Sequence, residues 1–144
     1  MTDEYFMQQA LKEAQKAFKE DEVPIGSVVV CQNKIIGKGY NQVERLSDAT
    51  AHAEMIAITA AENYLGNKYL HDCTLYVTIE PCVMCAGAIA WTQLSKIVYG
   101  APEEKFGFTR IEKNILHPKT LVTGFVLQNE CTTLMKDFFA RKRN

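Results

Sequence analysis

The chain has 144 residues, 47% of them hydrophobic, which is enough for one compact domain with a buried core and too little for two ordinary ones. Its 16 Lys and Arg face 17 Asp and Glu, a formal net charge of -1, so any contact with a polyanion has to come from a local patch. No run of about 18 apolar residues is present, and acidic Asp3 and Glu4 stand where a signal peptide would carry positive charge, so a cytoplasmic protein without a membrane span is expected.

Met7, Ala10, Leu11, Ala14, Ala17 and Phe18 recur at helical spacing behind Thr2, a good N-cap, and predict an amphipathic first helix. After Pro24 and Gly26, Ser27 to Cys31 and Ile35 to Tyr40 predict a hairpin turning at Asn33 and Lys34. Ala51 to about Tyr64 reads as a buried helix stopped by Gly66. Leu75 to Ile79 reads as a buried strand. Pro81 ends it and opens a helix through about Trp91, and Lys96 to Tyr99 follows as a strand, a unit that implies a parallel pair. Residues 101 to 117 are irregular in pattern, followed by a strand near Leu121 to Leu127 and a helix from about Glu130 to Arg141. With no repeat, low-complexity tract or linker, residues 1–144 are expected to form a single domain.

Five cysteines are an odd number for a disulfide framework, and in a reducing compartment such spacing more often means metal or catalysis. Cys31, Cys73 and Cys131 have no partner at ligand spacing and read as small buried hydrophobes. Cys82 and Cys85, three apart at a helix start, can turn both sulfurs to one face, where free backbone N–H groups favour thiolate. Zinc takes thiolate and imidazole in tetrahedral geometry, and a catalytic site keeps the fourth position for water. His52 is the third ligand expected; His71, in a polar loop, and His117, before Pro118, are weaker candidates.

Alone, a C-x-x-C pair can be redox-active or structural, and a single histidine is more often just hydrogen-bonded. A structural zinc site, however, would close its fourth position with another Cys or His, and a dithiol redox centre normally needs neither the histidine nor a nearby carboxylate. Glu54, two residues after His52, does not share its face of a regular helix. In the first turn both side chains can nevertheless point beyond the helix end; the simpler alternative is that Glu54 only favours the helix N-terminus.

The ordered pattern His52-Ala53-Glu54, then Pro81-Cys82-Val83-Met84-Cys85, matches the signature of zinc-dependent nucleobase deaminases. Beyond it the chain resembles the bacterial tRNA-specific adenosine deaminases through Glu22 to Gly26, Gly39-Tyr40-Asn41, Asp48 to Ile58, Leu75 to Ile89, and Asp137-Phe138-Phe139. The resemblance implies an α/β protein with a three-layer α/β/α cytidine deaminase-like fold around a five-stranded mixed sheet. It implies hydrolytic deamination of adenosine to inosine at the tRNA wobble position, Zn2+ on His52, Cys82 and Cys85, and Glu54 as the catalytic proton shuttle. It further implies a homodimer and a tRNA anticodon loop as partner. It places Asn41 on the target nucleoside and Val23 and Pro24 on the pocket rim, although Asn41 could equally be a turn former after Gly39.

One stretch departs from the family pattern. Lys105 to Arg110 stands where relatives carry a run of small residues, and His117-Pro118-Lys119-Thr120 stands near their Asn-His pair. Trp91, Phe106 and Phe108 could line a pocket for a free purine or simply be core. The alternatives are therefore a free purine or nucleoside deaminase, for example a guanine deaminase, and a zinc-stabilised RNA-binding module. Lys136, Arg141, Lys142 and Arg143 beside Phe138 and Phe139 form a basic, aromatic tail suited either to an RNA loop or to an ordinary helix C-terminus packed on the sheet.

Overall fold

A computed structural model describes residues 1–143. The side-chain oxygen of Thr2 caps α1 (Asp3–Lys19) by accepting from the Tyr5 N–H at 3.1 Å, with acids in the first turn and lysines in the last. β1 (Gly26–Cys31) and β2 (Lys34–Tyr40) form the expected hairpin. Its turn falls one residue earlier than the sequence indicated, on Gln32 and Asn33, both at positive φ, because mirror-image turns match the twist of the strands. A short helix, α2 (Val43–Leu46), precedes α3 (Ala53–Leu65), which Gly66 ends at φ 62. β3 (Cys73–Ile79) and β4 (Lys96–Ala101) flank α4 (Val83–Thr92), and β5 (Leu121–Thr123) and α5 (Gln128–Arg143) complete the order.

The five strands form one mixed sheet in the order β2-β1-β3-β4-β5. β1 runs antiparallel to β2 and β3, while β3, β4 and β5 are parallel, as the strand-helix-strand unit predicts. Alternation within each central strand builds two cores. Val29, Leu75 and Ile97 meet Ala57, Ile58 and Ala61 of α3 and Ala86 and Ile89 of α4. On the opposite face Val28, Val30, Tyr76 and Val98 meet Phe6, Met7 and Ala10 of α1 and Cys131 of α5. This is the expected α/β/α layering.

Three expectations change. The fifth strand ends at Thr123 rather than near Leu127, because Phe125 and Leu127 adopt φ 69 and 54 and Gly124 packs against the Tyr99 ring. Of the three aromatic residues offered as pocket or core, only Phe108 is buried; Trp91 is 84% exposed and Phe106 68%. Cys73 and Cys131 are buried as expected, whereas Cys31, opposite Cys73 across β1 and β3, is partly exposed.

Glycine sets the height of α3 over the hairpin. A Cβ on Gly37 would overlap the Ala57 carbonyl oxygen and stand 2.9 Å from the Ala61 nitrogen. Gly37→Ala should therefore lift α3 off β2 and cost about 1–3 kcal/mol, seen as a lower urea midpoint at unchanged slope. A parent-like midpoint would mean that the helix yields without penalty.

Candidate active site

Two helix N-termini converge on one point. His52 is the N-cap of α3 and Cys82 the N-cap of α4, and neither side chain makes a capping hydrogen bond, so both are free to face outward. The Ser27 hydroxyl of β1 donates to the Ala53 carbonyl at 2.8 Å and pins the first turn of α3 to the sheet. On the other side β3 ends at Ile79, and buried Pro81 leads the chain into α4.

His52 Nδ1 lies 3.6 Å from the Cys82 sulfur and 3.5 Å from the Cys85 sulfur, and the three donor atoms all fall within 4.8 Å of one another. Zinc bonds of about 2.3 Å to sulfur and about 2.0–2.1 Å to nitrogen, at a tetrahedral angle, require an S···N edge of about 3.6 Å. The observed distances match that edge, so this donor set fits zinc. It is the one such group of three among the described residues. His71 instead bonds Gln93 at 2.8 Å, and His117 accepts from the Lys119 backbone, so neither joins it.

The two thiols and the imidazole perturb one another. The hydrogen bond between the two thiols lowers Cys82 to about 4, with His52 adding to the effect. The same contact, with burial, pushes Cys85 up, and His52 is raised by its bond to Cys82. Glu54, in the first turn of α3, is only 3% exposed. Burial pushes its carboxyl up to about 7, with the neighbouring Cys82 also raising it.

A cleft of about 1210 Å³ opens beside the cluster, its lining including His52, Asn41, Val23, Ile25, Arg45 and Phe139. Asn41 is 7% exposed and its Oδ1 has no hydrogen-bond partner. Pro24 is buried and is not part of the lining, where its neighbours Val23 and Ile25 stand instead. Trp91 and Phe106 are not part of it either. Sequence reasoning missed Glu22, buried at 1% exposure under the same cleft, whose carboxylate accepts the Glu44 and Arg45 N–H groups at 3.0 and 2.6 Å and so holds α2 in place. Its signal was its place in the Glu22 to Gly26 stretch that carries the resemblance, beside the apolar Val23-Pro24-Ile25.

The model of the cytidine and deoxycytidylate deaminase zinc-binding region matches residues 1–101. Over its whole length the chain is 42% identical to the tRNA-specific adenosine deaminase of Aquifex aeolicus (strain VF5), covering 98% of that protein. The chain belongs to the cytidine and deoxycytidylate deaminase family, in its tRNA-specific adenosine deaminase branch. A solved deaminase chain, from work on A-to-I editing by tRNA:A34 deaminases at the wobble position, superposes with TM-score 0.85 at 36% identity, covering 90% of this chain and 98% of that one. The guanine deaminase of Bacillus subtilis gives TM-score 0.68 at 39% identity, over 71% of this chain and 66% of that one. As in any zinc-dependent member of this deaminase family, the cofactor is Zn2+.

The basic tail of this deaminase is divided by the fold. Phe138 is buried against Phe18, with ring centroids 5.9 Å apart, while Phe139 is exposed at the cleft. The Arg141 guanidinium lies 4.3 Å over the Phe18 ring and donates to Asp21 at 3.3 Å, and Lys142 also pairs with Asp21. Among the described residues Lys136 and Arg143 form no ion pair, and Arg141 and Lys142 share the one carboxylate of Asp21, which offsets a single positive charge of the patch.

Proposed function

We propose that this chain hydrolytically deaminates adenosine to inosine at the wobble position of a tRNA anticodon loop. The observation that carries the chemistry is the His52, Cys82 and Cys85 donor set, with Glu54 buried beside it, at an open cleft. His52, Cys82 and Cys85 would hold the zinc. Bound zinc lowers the pKa of a coordinated water towards neutrality. Glu54 carries one proton from the attacking water to N1 of the adenine ring and a second to the departing amine, so that adenosine and water leave as inosine and ammonia.

Asn41 supports the substrate assignment. A buried carbonyl oxygen without a partner is costly, and Asn41 lines the cleft, where a turn of its side chain on binding would let a base or sugar donor complete it. Asn41→Ala should raise KM about 10-fold, the equivalent of about 1.4 kcal/mol, without lowering the melting temperature. An unchanged KM would leave Asn41 as a turn residue. Val23 has the place of a rim residue, and Pro24 is buried next to it in the chain.

The cleft, about 1210 Å³, is large enough to admit a nucleotide presented by a larger molecule. Similarity to a guanine deaminase favours the second reading, a free-purine activity. Residues 1–144 act as a single deaminase domain, supported by the one continuous sheet. A homodimer accords with the exposed Val83, Met84 and Trp91 on α4, and a tRNA substrate accords with a cytoplasmic location; no described helix is long and apolar enough to cross a membrane. Zinc-loaded protein incubated with an anticodon stem-loop carrying adenosine at the wobble position should yield inosine there. It should leave free adenine, adenosine, guanine and cytidine unchanged. Rapid loss of guanine with an intact stem-loop would overturn the assignment in favour of the free-purine enzyme.

A further inference from the structure

Glu80 lies between β3 and the ligand-bearing Pro81-Cys82, and it is only 3% exposed. Among the described residues no cation pairs with it. Its carboxylate is satisfied instead by one distant segment. Oε1 accepts the Glu103 N–H at 3.1 Å, and Oε2 accepts the Thr109 N–H at 2.9 Å and the Thr109 hydroxyl at 2.7 Å. Gly107 passes so close that a Cβ there would collide with this carboxylate. The same segment then meets the ligand strand directly. Phe108 N–H donates to the Pro81 carbonyl at 3.0 Å, and Gly107 forms an antiparallel bridge with Cys82.

A buried carboxylate without a counter-ion is expensive unless its lone pairs are filled, and an apolar residue would serve packing alone at lower cost. Here all the recorded donors to it come from residues 103 and 109, which wrap the ligand-bearing turn. We propose that Glu80 is a positioning residue whose carboxylate clamps residues 103–109 against Cys82, fixing both the ligand and the protein wall beside it. The role in catalysis rests on the deaminase reading above; the clamp itself does not.

The test compares zinc-loaded parent, Glu80→Gln and Thr109→Val. Three readouts are taken: amide hydrogen exchange, the rate of zinc transfer to a chromophoric chelator, and kcat and KM on the adenosine stem-loop. In Glu80→Gln the Glu103 and Thr109 amides should exchange at least about 10-fold faster while β1 and β3 stay protected. Zinc should leave about 10-fold faster, and kcat should fall more than KM rises. Thr109→Val, which removes one of the three donors, should shift each readout in the same direction by a few-fold and keeps the test decisive if Glu80→Gln does not fold. Parent-like exchange at Glu103 and Thr109 would overturn the clamp. Faster exchange with parent-like zinc release and kcat would overturn its positioning role and leave a loop anchor only. If the parent itself neither holds zinc nor alters the stem-loop, the deaminase reading fails, while the exchange data still decide the clamp.

Discussion

Glu54→Gln should keep one zinc per chain and the parent fold yet deaminate about 10²- to 10⁴-fold more slowly, the usual contribution of a positioned acid-base group. Glutamine has nearly the shape of glutamate, so the first turn of α3 and its Ser27 anchor remain packed as they are. What disappears is a site that can accept and return a proton next to the metal donors. Single-turnover rates on the stem-loop, set beside metal content for the same preparation, separate the two roles. A parent rate would make Glu54 a helix-end residue only. Loss of zinc in step with activity would make it a ligand.

Cys85→Ala should abolish stable zinc binding and, with it, detectable turnover. The cluster has three protein donors, so removing one should weaken zinc by more than the about 10–100-fold typical of changes behind the ligands. Cys85 is fully buried, and its loss also leaves a small void worth about 1 kcal/mol. Cys131→Ala supplies the control, since Cys131 is 1% exposed on α5 and lies outside the donor group. Compared in the metal-free state both variants should lose comparable stability, and only Cys85→Ala should then fail to gain stability when zinc is added. Equal zinc in the two would remove Cys85 from the ligand set.

Local signals made most of the frame legible. Thr2 with Asp3 and Glu4 marks the start of α1, Gly66 the end of α3, and Pro81 the passage from β3 to α4, because each acts on its own few residues. The His52 and Cys82–Cys85 signals were equally local, since each sits at a helix start that can be recognised without the rest of the chain. Their meeting required the sheet, which brings residues 30 apart to 3.6 Å. What stayed hidden depends on distant partners. Acidic residues are ordinarily exposed, so nothing in the sequence marks Glu22 and Glu80 as buried acceptors for backbone amides more than 20 residues away. The tail was left open between its two readings for the same reason: Lys142 looks available until Asp21, 121 residues earlier, is found beside it. α2 was missed because four residues carry no periodicity.

The contacts around Glu80 also bear on how this family can change. The carboxylate calls for backbone N–H groups at 103 and 109, a hydroxyl at 109 and no Cβ at 107, and Phe108 fills the core. Residues 104–106 are exposed and meet none of those demands with their side chains. Sequence beside the catalytic centre is therefore free to drift at those three positions while the frame that carries the ligands stays fixed. The loop is a natural place for selection, or for a randomised library, to vary charge and bulk next to the ligand-bearing turn without first having to restore the fold's stability.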